Sequence, residues 1–188
     1  MPSTCAGSSA PCPECEEEQT VHRSAANGAS APAAAGAVLG GLGTGAPLDT
    51  DLEAIAAAAR HLGVKRAALA TRWHQPLNDA VAKYLKSAGV EVVGQQASGR
   101  TMAENATLGA ADGMRMALEL GRAALTAAPT AQGLILPGGR WLSIHAVAAL
   151  EAEFGKPVFL NLNSSLWAAL RSAGRGLPVV GQGMLLAS

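Results

Sequence analysis

The chain has 188 residues, enough for one domain with a hydrophobic core and an extension. Its 14 basic and 14 acidic residues give a net charge of zero, and only 15% of the residues are charged, so no long-range attraction to nucleic acid or to an anionic membrane is expected. No apolar run reaches the length of a membrane span and the first residues lack the order of a secretion signal, so we expect a soluble, cytoplasmic protein that binds neither nucleic acid nor membrane.

Residues 1–47 are a low-complexity segment rich in Ala, Gly, Ser and Pro. Because it has almost no large apolar side chains to bury, we predict that this segment is disordered or aberrant. The glycines from Gly40 to Gly45 look like a dinucleotide-binding loop, but no adequate strand precedes them and the next helix begins only near Thr50. We therefore expect no nucleotide site there.

All three cysteines, Cys5, Cys12 and Cys15, lie in this segment. Cys12 and Cys15 have the spacing of half a zinc site, and Cys5 and His22 are conceivable third and fourth ligands. Since a second C-x-x-C or a histidine pair is missing, an unstructured tail is the simpler interpretation and no bound metal is expected.

From Thr50 onward, helical and strand patterns alternate. Gly63 and Gly89 are the predicted ends of the first two helices. Residues 98–105 are predicted to form a polar loop, and a last short strand is predicted from Val179. The predicted helices lie at 50–62, 76–88, 110–127, 142–154 and 164–173, and the predicted strands lie at 66–71, 90–93, 133–136 and 158–160.

This alternation predicts an α/β domain over residues 48–188, with three αβα layers and a mainly parallel, flavodoxin-like sheet of four strands. In such sheets the functional loops lie beyond the carboxyl ends of the strands. That rule selects three segments: Thr71–His74, Pro137–Trp141 and Asn161–Ser164. We expect any site to be built from them.

Gly138 and Gly139 end a short apolar strand just before a helical pattern. Without Cβ atoms they let a ligand approach backbone N–H groups, and the positive end of the following helix favours an anion. The competing interpretation is a tight turn between strand and helix.

Four large side chains in the selected segments are suited to bind a small carboxylic acid. Arg72 and Arg140 could hold a carboxylate through paired hydrogen bonds, while Trp73 and Trp141 could enclose its apolar part. Solvated surface arginines and tryptophans buried in the core are the alternatives.

His74 and His145 are the candidate acid and base groups, because histidine titrates near neutrality without help. Neither has a carboxylate in its own loop to orient it. Ser143 and Ser164 are more simply turn or cap residues than nucleophiles, since neither lies in a G-x-S-x-G context.

Residues 47–186 resemble the aspartate/glutamate racemase superfamily, in the branch that holds arylmalonate decarboxylase and maleate cis-trans isomerase. The likeness is carried, in the expected order, by the stretches Ala68–Val81, Ala127–Gly139, Leu150–Val158 and Asn163–Gly174. It implies that the chain corresponds to one lobe of a two-lobed fold with a cofactor-independent site between the lobes.

The resemblance implies a small mono- or dicarboxylic acid as ligand, bound through Thr71, Gly138, Gly139 and Asn163, with proton transfer at the carbon next to a carboxylate. In an ungapped comparison the cysteine of the second lobe falls on Gly138, so a proton-carrying thiol is absent there. The tyrosine of the decarboxylase falls on Trp73, and Thr71 matches the threonine of the family.

The first lobe of the family is not recognisable in residues 1–47, although the surroundings of Cys5 faintly resemble its cysteine loop. Cys5 is therefore a further, weaker catalytic candidate. The alternative to an enzyme is a non-catalytic lobe that binds a metabolite or assembles with a partner, including a second copy of itself.

Overall fold

The structure is a computed structural model, and it describes residues 51–138, 141, 143–176 and 178–188. Several predictions lie outside these residues: the disorder of residues 1–47, the roles of Gly139, Arg140 and Cys5 in a site, and the zinc ligands considered at Cys5, Cys12, Cys15 and His22.

Six helices and four strands form the described part of the chain. In order they are α1 (Asp51–His61), β1 (Arg66–Thr71), α2 (Gln75–Ser87), β2 (Glu91–Ala97), α3 (Met102–Ala106), α4 (Ala110–Ala127), β3 (Gly133–Leu136), α5 (Ile144–Phe154), β4 (Val158–Leu160) and α6 (Asn161–Ser172).

The four strands make one sheet in the order β2-β1-β3-β4, and every neighbouring pair is parallel. Leu69 lies opposite Ile135 in the β1–β3 register, and Ile135 lies opposite Phe159 in the β3–β4 register. All four strands therefore end at one edge. The predicted α/β fold with a parallel, flavodoxin-like sheet is confirmed.

Side chains alternate between the two faces of the sheet and make two cores, as pleating requires. Leu69 and Ile135 pack with α1 and α2 on one face, whereas Leu134 and Leu136 pack with α4 and α5 on the other. Helix α6 lies against α1. These two cores give the three αβα layers.

Gly63 and Gly89 end α1 and α2 with φ values of 71° and 88°, so the two predicted helix ends are confirmed. The polar loop predicted over 98–105 is wrong in part, because α3 begins in it at a capping box in which Thr101 and Glu104 satisfy each other's backbone N–H groups.

The strand predicted from Val179 is wrong for the described residues, which form turns over 178–188. Val179 N–H donates to the carbonyl of Leu186 at 2.6 Å, so the segment folds back on itself instead of joining the sheet. No helix in the described ranges is both long and apolar enough to cross a bilayer.

Candidate functional site

Three consecutive buried residues lie at the end of β1, at the carboxyl edge of the sheet. Thr71 and Arg72 are fully buried, and Trp73 is 6% exposed. The Thr71 hydroxyl donates to Oδ1 of Asn78 and accepts the N–H of Trp73 at 3.2 Å. Thr71 therefore fixes the chain as it leaves the strand.

The backbone of Arg72 is held by the segment that follows the neighbouring strand β2. Its carbonyl accepts the Ser98 hydroxyl at 2.6 Å and Nδ2 of Asn105 at 3.2 Å. Both donors come from the segment after β2, the second of them from α3. The fully buried Arg72 side chain is thereby anchored at its main chain, which limits the directions in which the guanidinium can point.

Gly138, just after β3, is the point at which these side chains meet. A Cβ atom placed on Gly138 would lie 3.2 Å from Cζ2 of Trp73, 3.5 Å from Nε of Arg72 and 3.6 Å from Nε1 of Trp141. Four residues predicted from the rim segments are thus brought together. We call this group, Arg72, Trp73, Gly138 and Trp141, the Gly138 site.

Trp141 contributes a buried donor to the Gly138 site. The residue is 3% exposed, and its indole N–H has no hydrogen-bond partner among the described residues. Buried N–H groups are nearly always paired in folded proteins, so an unpaired one beside a buried guanidinium favours an acceptor, and an anionic one above all.

Asn161, the first residue of α6, was not singled out by the sequence beyond its place in a rim segment. Its Oδ1 accepts the Gly138 N–H at 3.0 Å, and its Nδ2 donates to Oδ2 of Asp51 at 2.8 Å. The other oxygen of Asp51 accepts the Ser165 hydroxyl at 3.1 Å. The available signal was its position directly after a buried strand, where an amide can reach the next strand end.

Asn163, predicted to bind substrate, lies close by with both ends of its amide bonded to backbone. Oδ1 accepts the Leu160 N–H at 2.7 Å, and Nδ2 donates to the carbonyl of Val158 at 2.9 Å. The residue is 1% exposed. In this arrangement it caps α6 against β4, and its role in binding stays a prediction.

The two histidines are both exposed and are not part of the Gly138 site as described. His74 precedes α2 and makes no side-chain capping bond, and His145 lies in the first turn of α5. Their predicted acid and base roles stay predictions.

A separate depression of about 390 Å³ lies between Arg100, α3 and the first half of α4. Its lining carries charges of both signs, including Glu104 and Arg115, and none of the predicted site residues. Within the described ranges, no group of three His, Cys, Asp or Glu residues could hold a metal ion.

Known proteins resemble this chain over nearly all of its described part. A family model described as arylmalonate decarboxylase matches residues 37–186. A curated arylmalonate decarboxylase from Bordetella bronchiseptica is 32% identical over 133 residues, which are 71% of this chain and 54% of that protein. The chain therefore spans about half the length of this curated relative.

Solved structures of related proteins also resemble this chain. Unliganded arylmalonate decarboxylase matches with a TM-score of 0.76 and 29% identity, covering 89% of this chain and 70% of that one. Nocardia farcinica maleate cis-trans isomerase bound to Tris matches with a TM-score of 0.71 and 25% identity, covering 89% of this chain and 68% of that one.

Proposed function

Because the chain belongs to the arylmalonate decarboxylase family, we propose that it binds a small mono- or dicarboxylic acid at the Gly138 site and acts on it. The reaction we propose is cofactor-independent proton transfer at the carbon next to a carboxylate, coupled to decarboxylation or isomerisation.

The observation that carries this proposal is the buried indole N–H of Trp141, which lies beside Gly138 and Arg72 and has no hydrogen-bond partner among the residues that the structure describes. A carboxylate oxygen would accept from the indole, and the guanidinium would offset its charge away from bulk water. The rings of Trp73 and Trp141 would border the apolar part of the acid.

The same donors suit the chemistry of decarboxylation. When the bond to the leaving carboxylate breaks, its electron pair moves onto the remaining carboxylate and makes an enediolate, and a proton then adds to the carbon. Donors fixed in a site that excludes water stabilise the charge as it develops on oxygen. Arg72 and the Trp141 N–H are the groups that we assign to this role.

Gly138 restricts the reaction. By resemblance it stands where related enzymes keep a cysteine, and every cysteine of the sequence lies between Cys5 and Cys15. Racemisation by two thiols is therefore disfavoured, and the candidate sources of the proton are solvent, His74, His145 and Cys5, which lies outside the described ranges.

A non-catalytic role is the second candidate, and the missing thiol at Gly138 favours it. Leu162 and Leu166 also favour it, since they lie one turn apart on α6 with 60% and 44% of their surfaces exposed. Such an apolar pair suits assembly with a partner or with a second copy of the chain. Light scattering at several protein concentrations tests the self-association.

Titration with malonate, phenylmalonate and maleate, followed by NMR of each acid in deuterated water, tests the proposed function. Binding with release of CO2, or with incorporation of deuterium at the carbon next to the carboxylate, supports an enzyme. Binding without turnover supports the second candidate, and no binding of any acid overturns the carboxylate site. His74→Ala and His145→Ala show whether either histidine moves the proton, because loss of that group lowers kcat.

A further inference from the structure

The backbone donor of Gly138 is already occupied from within the chain. Its N–H lies 3.0 Å from Oδ1 of Asn161, a residue that follows 23 positions later at the start of α6. A carboxylate that is to use this donor has to replace the amide carbonyl. The site therefore holds an internal acceptor at one of the backbone groups expected to bind the ligand.

The orientation of the Asn161 amide is set by Asp51. Nδ2 donates to Oδ2 of Asp51 at 2.8 Å, which directs Oδ1 to the Gly138 N–H. Since Asp51 is acceptor-only when ionised, it accepts from the NH2 end of the amide and would not bond the carbonyl end. Ser165 donates to the other oxygen of Asp51 at 3.1 Å and steadies that carboxylate.

We propose that Asn161 competes with the ligand for the Gly138 N–H, and that Asp51 holds Asn161 in the competing position. The inference rests on the proposed carboxylate site. An ionised carboxylate makes a stronger hydrogen bond than a neutral amide carbonyl, so the ligand displaces Asn161. The bond between Asn161 and the Gly138 N–H is lost in the exchange, and this loss lowers the affinity for the ligand. Asn161 is only half-buried, which leaves it room to turn toward solvent.

This competition lowers the affinity for carboxylates and also makes binding more selective. When Asn161 turns away, the Gly138 N–H loses its hydrogen bond, and only an acid whose carboxylate reaches this N–H replaces that bond. Neutral analogues of the acid, such as its amide, offer no better acceptor than Asn161 itself. We therefore expect competition from the Asn161 carbonyl to favour ionised carboxylates over neutral analogues.

The test compares phenylmalonate and malonate affinities of the whole chain with those of Asn161→Ala and Asp51→Ala. Each variant removes the competing acceptor or its holder, and we expect both acids to bind about 2- to 10-fold more tightly, the range that one hydrogen bond corresponds to. Ser165→Ala is the matched control, since it removes a bond to Asp51 and leaves the Asn161 contacts in place.

A second readout does not depend on any ligand. The amide proton of Gly138 exchanges with solvent faster in Asn161→Ala than in the parent chain if the bond exists in solution. Circular dichroism confirms that each variant is folded, and two variants at different positions keep the test valid if one of them is not.

The outcomes separate the two proposals. Equal or weaker binding by both folded variants, with binding retained by the parent chain, overturns the competition and leaves the carboxylate site standing. Tighter binding by Asn161→Ala but not by a folded Asp51→Ala supports the carboxylate site and the competition, and overturns the role of Asp51 in holding Asn161. No binding by the parent chain or by any variant overturns the carboxylate site and the competition together.

Discussion

A Cβ atom on Gly138 would lie 3.2 Å from Cζ2 of Trp73, closer than most real Cβ contacts. The φ of Gly138 is +110°, a value that side chains with a Cβ atom rarely adopt. The backbone conformation of Gly138 and the indole of Trp73 therefore both disfavour a side chain at position 138.

The first prediction concerns Gly138→Cys. We expect the free energy of unfolding to fall by about 1–3 kcal/mol, because the substitution adds backbone strain and a close contact. Combining it with Trp73→Phe, which removes the ring edge that is in contact, should cost less than the sum of the two single changes. Urea unfolding of the parent chain, the two single variants and the double variant measures this coupling.

Gly155→Cys is the control for strain alone. Gly155 also has positive φ, +63°, but a Cβ there meets no atom within 4 Å. If Trp73→Phe relieves Gly155→Cys as much as it relieves Gly138→Cys, the contact between Trp73 and position 138 does not exist in solution.

The second prediction separates two indoles whose N–H groups are buried. Trp141 and Trp167 each have an indole N–H without a hydrogen-bond partner in the described part of the chain. Trp141 belongs to the Gly138 site, whereas the half-buried Trp167 contacts His61, with ring centroids 5.0 Å apart and ring planes tilted by 40°. Changing either residue to Phe should lower stability by roughly 1 kcal/mol through lost packing.

Only Trp141→Phe should weaken carboxylate binding, by about 10-fold or more, since a hydrogen bond to a charged group is lost. Calorimetric titration with phenylmalonate measures the difference. Similar affinities for the two variants would show that the Trp141 N–H does not contact the ligand.

The third prediction concerns how helix α4 packs on the sheet. The β1–β2 register shifts between Ala67 and Ala68, and just after this irregularity Gly94 faces the end of α4. A Cβ on Gly94 would lie 2.6 Å from Cβ of Ala128. Because both atoms are fixed to backbone, Gly94→Ala should lower the free energy of unfolding by about 1–3 kcal/mol.

Ala128→Gly should recover part of that loss when it is combined with Gly94→Ala, since it removes the other atom of the clash. A double-mutant cycle by thermal or urea unfolding gives the coupling. Additive effects would show that the sheet and α4 move apart to accept the methyl group.

The fourth prediction is a pH dependence. Burial raises the pKa of Glu151, and the bonds that its carboxylate accepts from the N–H groups of Val158 and Met184 oppose that rise. The folded state therefore binds a proton more tightly than the unfolded state does. Stability should fall as the pH rises from about the ordinary value of 4.5 through the raised pKa.

Glu151→Gln removes the titrating group and should flatten this part of the pH profile, while lowering stability at all pH values because the second N–H loses its acceptor. Urea unfolding between about pH 4 and pH 7 checks the slope. Glu153→Gln, which removes an exposed carboxylate from the same helix, is the control, and an unchanged slope in Glu151→Gln would contradict the assignment.

Some features of the fold can be predicted from the sequence because they are local. Glycines at helix ends, apolar strands and the order of elements depend on neighbours a few positions apart. The short helix α3 also has a local signal, since the spacing of Thr101 and Glu104 is that of a capping box, but the polar composition of its surroundings favours a loop.

The contacts of Asn161 and Asn163 were not readable in this way. Both are amides in one turn of α6, yet Asn161 reaches Gly138 and Asp51 while Asn163 bonds to the backbone of β4. The direction that each amide takes depends on the donors and acceptors that other strands and helices supply.

The sequence by itself determined the parallel α/β fold and the strand ends at which a site would lie, because hydrophobic periodicity and helix stops act over short stretches of chain. Only the tertiary structure decided that Arg72, Trp73 and Trp141 meet at Gly138 and that Asn161 already occupies its N–H. Those relationships depend on packing and hydrogen bonds between residues far apart in the chain, for which local patterns carry no signal.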